Sequence, residues 1–157
     1  MKPRKSWREK LADSKDLPRV ETIPEGMSKL WGRGTLVIPA PKEVDGLMRK
    51  VSPGKVTTIN ALREALARKH KATIGCPITT GIFARIAAEA AAEEEAEGKK
   101  RITPYWRVLK SAGEINARYP GGIEGQRRRL EDEGHRVAAR GKNFVVQDFE
   151  RYLAKLS

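Results

Sequence analysis

Residues 57–98 read TTINALREALARKHKATIGCPITTGIFARIAAEAAAEEEAEG, and this stretch decides the fold. Thr57 and Thr58 offer a cap for a helix that carries Ile59, Leu62 and Leu66 on one face. A short connection from His70 to Pro77 contains Gly75. Thr79 or Thr80 is placed to cap a second helix, with Ile82, Phe83 and Ile86 directed inward and an alanine- and glutamate-rich continuation to Gly98. Helix, glycine-containing turn, helix is the pattern of a helix-turn-helix, a pattern that any helical hairpin shares.

Upstream, Thr35–Ile38 (TLVI) is a short apolar run closed by Pro39 and reads as a strand. Pro41 opens a segment with Val44, Leu47, Met48 and Val51 at helical spacing, and Ser52-Pro53-Gly54 ends it. Lys2, Arg4, Lys5, Arg8 and Lys10 crowd the start of the chain, with Pro3, Pro18 and Pro24 interrupting. This stretch reads either as a mobile basic arm or as a short helix docked through Trp7 and Leu11. Downstream, residues 102–109 form an extended apolar and aromatic segment. Turns at Ser111-Ala112-Gly113 and Tyr119-Pro120-Gly121-Gly122 precede a helix over 123–133, closed by Gly134. Residues 137–139 and 144–146 suggest a hairpin, and Val145, Phe149, Tyr152, Leu153 and Leu156 a C-terminal helix. The expected class is α+β and mostly helical: a winged-helix-like helix-turn-helix domain with short strands. Its expected divisions are a basic extension over 1–33, a DNA-binding domain over 34–139 and a hairpin/helix extension over 140–157.

Lys and Arg number 32 against 20 Asp and Glu, a formal charge of +12 on 157 residues. That surplus favours a polyanionic partner, nucleic acid first and an acidic membrane surface second. No apolar run approaches the roughly 20 residues of a membrane span, and the basic start lacks a secretory apolar stretch. A lone cysteine, Cys76, forms no internal disulfide, and nothing calls for an oxidising compartment. The expected location is the cytoplasm, or the nucleoid of a bacterial or archaeal cell. His70 and His135 lack metal-ligand spacing and are expected at the surface or in loops. No metal or cofactor is expected.

Three blocks, in order, resemble the catalytic domain of methylated-DNA–protein cysteine methyltransferases. They are Gly54-Lys55-Val56-Thr57-Thr58 before a helix, then Pro104-Tyr105-Trp106-Arg107-Val108 with Ser111-Ala112-Gly113, then Tyr119-Pro120-Gly121-Gly122 with Leu130 and Glu133-Gly134-His135-Arg136-Val137. The likeness covers roughly residues 42–139. In that family the second block reads Pro-Cys-His-Arg, and the cysteine accepts an alkyl group from a damaged base. Here Tyr105 and Trp106 stand at the cysteine and histidine positions. A phenol beside an indole supplies neither a thiolate nor a base, so alkyl transfer at this site is not expected. In this the chain is similar to the alkyltransferase-like branch, which binds alkylated bases without repairing them and flags them for other machinery; those proteins, however, keep the histidine.

The resemblance implies a helix-turn-helix in the minor groove of duplex DNA and a nucleotide flipped into a pocket. By position, Tyr105 floors that pocket, with Trp106 beside it, and Arg107 holds the motif loop. Tyr119 and Pro120 shape the gate, and Glu133 matches the relay glutamate. Thr58, Arg63, Arg68, Lys69, Lys71, Thr79, Thr80 and Arg85 are the expected DNA contacts. Ile78 reads either as an apolar wedge or as a core residue. Two departures bear on flipping: Ile59 replaces the family's tyrosine, and 76–81 has no arginine finger. Arg127, Arg128 and Arg129 read equally as DNA contacts or as a solvated run paired with Glu131 or Asp132. The Ala/Glu run over 87–97 is expected to point away from DNA and to be free to face a protein partner. The implied function is non-catalytic sensing of modified bases by a monomer, with DNA-repair proteins downstream and no membrane. The rivals are an enzyme using Cys76 as alkyl acceptor and an RNA- or protein-interaction module.

Overall fold

The computed structural model describes residues 5–156. The chain runs α1 (Trp7–Ala12), β1 (Arg19–Thr22), α2 (Ser28–Trp31), β2 (Thr35–Ile38), α3 (Pro41–Arg49), β3 (Thr57–Thr58), α4 (Ile59–His70), β4 (Ile74–Gly75) and α5 (Pro77–Ala96). It continues through a 3-10 turn (Tyr105–Arg107), β5 (Val108–Leu109), α6 (Gly122–Asp132), β6 (Val137–Arg140), β7 (Asn143–Val146) and a last 3-10 turn (Phe149–Tyr152). This is the expected α+β class with its helix-turn-helix, α4 and α5.

Local chemistry sets the helix starts. Pro41 occupies the first position of α3, and Glu43 accepts a hydrogen bond from the Ala40 N–H at 3.0 Å. Thr58 caps α4, its hydroxyl accepting from the Ala61 N–H at 3.1 Å. Neither Thr79 nor Thr80 caps α5. Pro77 takes the first position, Cys76 is the cap residue, and the Thr80 N–H donates to the Cys76 carbonyl at 3.1 Å. Both threonine hydroxyls are buried without a hydrogen-bond partner among the described residues.

Helix α5 buries only part of the face expected of it: Phe83 packs against the main core and Ile86 is half-buried. Ala84, Ala87, Ala88 and Ala91 line its inner side at 0–2% exposure, while Ile82 is exposed. Alanine lets α1 and α3 approach closely, and both pack along α5. The main core adds Val37, Val44, Met48, Leu62, Leu66, Val108 and Leu130. A second, smaller cluster of Ile23, Leu36 and Cys76 sits under the sheet β1-β2-β4. There β1 pairs antiparallel with β2, and β2 pairs parallel with β4 through Leu36↔Ile74 and Val37↔Gly75.

The structure selects between the two readings of the chain's start, overturns the C-terminal helix and buries a loop histidine. Lys2 and Arg4 lie outside the described residues. Beyond them the basic extension is docked: α1 packs on α5, and the β1–β2 pairing carries the hairpin across the expected boundary at 33–34. In place of the expected C-terminal helix, the described residues form only the 3-10 turn Phe149–Tyr152. The Val56 N–H donates to the Tyr152 carbonyl and the Val56 carbonyl accepts from the Ala154 N–H, both at 2.9 Å, so the tail's backbone bonds sideways to an extended segment. Lastly, His135 is 5% exposed, its ring edge-on to Tyr152 at 5.0 Å and both ring nitrogens without a partner among the described residues. His70 is half-buried, with Nε2 2.6 Å from a Glu43 carboxylate oxygen.

Two predictions follow from packing. A Cβ at Gly75 sits 2.6 Å from the Arg63 carbonyl oxygen, so Gly75→Ala lowers unfolding free energy by about 1–3 kcal/mol in urea titration. Burial holds the His135 imidazole below its ordinary pKa, Arg107 adding to the effect and Glu133 opposing it. The unfolded chain then binds more protons than the folded one once pH falls through about 6.5, and stability drops. Melting temperature therefore declines from pH 7 to pH 5.5, and His135→Phe reduces that decline; an equal decline in the variant contradicts the assignment.

Candidate nucleic-acid interface

The segment carrying Tyr105 is not extended. Residues 105–107 turn as a 3-10 helix, so Tyr105, Trp106 and Arg107 all point inward, at 3, 8 and 9% exposure. Glu133 organises them. Its carboxylate accepts from Trp106 Nε1 at 3.0 Å, from Arg107 Nε at 2.9 Å and Nη2 at 2.7 Å, and from the Gly54 N–H at 3.3 Å. Arg107 Nη1 also donates to the Val51 carbonyl at 2.6 Å. Burial pushes the Glu133 pKa up, but the Arg107 and Trp106 hydrogen bonds outweigh it and hold the carboxyl below its ordinary value.

Above this triad the Tyr105 ring meets Trp106 edge-on at 5.3 Å and Tyr119 at 6.4 Å. Arg129 closes the cluster, its guanidinium 4.5 Å from the Trp106 ring centroid and 5.7 Å from that of Tyr105, fixed by an ion pair to Glu95 of α5 at 2.6 Å. Burial raises the pKa of both the Tyr105 and Tyr119 phenols. Tyr119 is buried and Pro120 half-buried. The expected pocket residues do come together, but as a packed cluster with Tyr105 inside it rather than as the floor of an open site. An indole N–H bonded to a carboxylate neither gives nor takes a proton here.

The expected DNA contacts divide. Ile78 is 58% exposed on α5, with Ile82 at 50% on the next turn and Arg85 exposed one further turn on, so Ile78 is not a core residue. Thr80 is fully buried and the Thr79 hydroxyl is enclosed, which removes both hydroxyls from reach of a phosphate. Thr58 spends its hydroxyl on its cap. Arg63 is tied to the Gly75 carbonyl at 2.9 Å and to Asn60 at 3.0 Å. Lys69 pairs with Glu43 at 2.6 Å and, with Arg68, lines a separate cleft beside α3. Lys71 is exposed at the left-handed end of α4.

Beside the exposed face of α5 lies a cleft of about 540 Å³, walled by Trp7 and Lys10 of α1, by Ile82 and Arg85 of α5, and by Asn116 and Arg118. Sequence reading placed none of Trp7, Asn116 or Arg118 at a site, nor Arg129 over the aromatic pair. The one available signal was the four-residue spacing of Trp7 and Leu11, which marked a docking helix without saying where it docks. The acidic run of α5 is used internally. Glu93 accepts from the Trp7 and Arg8 N–H groups at 3.2 and 3.0 Å, and Glu97 pairs with Arg8 at 2.6 Å. Arg127 pairs with Glu131 at 3.2 Å, while Arg128 is exposed. Cys76 lies buried in the second cluster, apart from Tyr105. Among the described residues, no three His, Cys, Asp or Glu side chains cluster as metal ligands, and no helix is long and apolar enough to cross a membrane.

No family model and no curated protein matches the sequence. Among solved structures, the chain is similar to S. pombe Atl1 in complex with damaged DNA containing O6-carboxymethylguanine, with a TM-score of 0.51 and 22% identity over 73% of this chain and 94% of that one. S. pombe ATL in complex with DNA is also similar, with a TM-score of 0.47 and 21% identity over the same shares. Across 73% of its length the chain therefore has the fold of Atl1.

Proposed function

We propose that the protein is a non-catalytic binder of duplex DNA that senses alkylated or otherwise modified bases. The observation that carries this reading is the outward face of α5: exposed Ile78 and Ile82 at helical spacing, followed by exposed Arg85, on the second helix of a helix-turn-helix. An apolar ridge flanked by cations suits a minor groove, where apolar side chains wedge between base steps. The charge of +12 supplies the phosphate attraction. The shared fold with Atl1, a protein crystallised with damaged DNA, supports the same reading.

In this account Tyr105, Trp106, Arg107, Tyr119, Pro120 and Glu133 are the rigid scaffold behind α5. Arg85, Lys71 and Arg68 contact phosphate, while Arg63 and Lys69 hold the helices in place. The protein acts as a monomer where the DNA is, in cytoplasm or nucleoid, and leaves repair to other proteins. Burial of Cys76 in a cluster away from the aromatic motif speaks against an alkyl acceptor there.

The test is affinity for two duplexes differing only in one O6-alkylguanine, measured by fluorescence anisotropy at about 50 and 200 mM salt. Binding weakens at least tenfold over that range and is tighter for the modified duplex. Salt-independent binding, or none, contradicts the reading. Glu133→Ala, which strands the Arg107 guanidinium, lowers unfolding free energy by about 3 kcal/mol in denaturant titration. A loss below about 1 kcal/mol removes Glu133 from the centre of the scaffold.

A further inference from the structure

The aromatic cluster at Tyr105 is closed by Arg129, whereas the neighbouring cleft between α1, α5 and residues 116–118 is open. We propose that this cleft is a nucleobase site, in which Trp7 of the N-terminal helix stacks on an unpaired base of bound DNA. The assignment rests on the DNA-binding reading above and names where and how a base is held.

Four observations converge on it. First, the volume, about 540 Å³, lies inside the roughly 300–1,000 Å³ range of small-ligand sites. Second, its walls suit a nucleotide: the half-buried Trp7 lines it together with apolar Ile82 and Ile86, and Lys10, Arg85 and Arg118 supply cations for phosphate. Third, Trp7 is held in place rather than trailing. Glu93 accepts from the Trp7 and Arg8 N–H groups, Arg8 forms a two-pronged pair with Glu97, and Leu11 packs on the core. Lys10 Nζ lies over the Trp7 ring, 4.2 Å from its centroid, and the Arg85 guanidinium 5.8 Å, so an incoming base displaces a flexible cation from the ring face and leaves it beside the base's own phosphate.

The fourth observation is Gly81. It lies inside α5, where glycine weakens a helix relative to alanine, and a Cβ there meets no atom within 4 Å. Packing therefore does not require glycine at this position. A side chain at 81 projects into the cleft that Gly81 lines, so the missing side chain keeps the cleft open.

The experiment uses two 15-bp duplexes, one fully paired and one with 2-aminopurine opposite an abasic site, whose base leaves the stack readily. Affinity is read by anisotropy and stacking by 2-aminopurine fluorescence. The wild-type protein binds the second duplex roughly tenfold more tightly and quenches its fluorescence. Trp7→Ala and Gly81→Leu each abolish the preference and the quenching, and Trp7→Ala, which lies off the outward face of α5, keeps affinity for the paired duplex within about twofold. Gly81→Leu places a better helix former in open space, so it folds at least as well as the wild type. The assignment is overturned if both variants keep the preference, or if Tyr105→Phe alone removes it. Binding of both duplexes with equal affinity overturns the nucleobase site and leaves DNA binding intact; binding of neither overturns both.

Discussion

One carboxylate fixes the arrangement of the rest. Glu133, just past the end of α6, accepts from Arg107, Trp106 and Gly54, and so joins three segments far apart in sequence. Arg107 in turn reaches the Val51 carbonyl at the end of α3. With the guanidinium pinned from both sides, Trp106 and Tyr105 have a fixed orientation, and Arg129 settles on their faces. The Arg129–Glu95 pair then reaches α5. The helix that presents Ile78 and Ile82 is positioned by its alanine packing, to which the exposed Arg129–Glu95 pair adds little. A buried pair such as Arg107–Glu133 adds modest net stability when intact, but loss of one partner leaves an uncompensated charge.

The same geometry decides what the Tyr105–Trp106 pair can do. The indole N–H donates to the carboxylate and gains a fixed position but no basicity. The phenol, buried against Tyr119, is held further from ionisation. The residues are kept close and oriented, yet their hydrogen bonds are used for structure. The exposed apolar and cationic surfaces lie instead on α5 and beside it.

Much of the fold was legible in the sequence because strong local signals agreed. Pro41, Thr58, Gly134 and the β6–β7 hairpin fell where cap and turn chemistry put them. The inner face of α5 was only partly legible: Phe83 packs on the core as its size suggests, but the alanines that carry most of the burial have less hydrophobic weight than the exposed Ile82. The C-terminal turn misled for a related reason: its apolar spacing suits a helix, but Val56 claims its backbone. At the site, Arg107 and Glu133 were identifiable by motif position. Thr80 was not separable from a surface threonine, since burial depends on which face α5 turns inward. Trp7 and Arg118 were invisible as partners because they stand 111 positions apart and only the tertiary fold brings them to one cleft.

In the proposed function the outward face of α5 meets DNA. Hydroxyl-radical footprinting of the full chain, free and saturated with duplex, reads it directly, since oxidation of a side chain reports its exposure. The account predicts that Ile78 and Ile82, half or more exposed in the free protein, lose most of their reactivity in the complex. Unchanged reactivity at both positions in a chain that is demonstrably bound would contradict it.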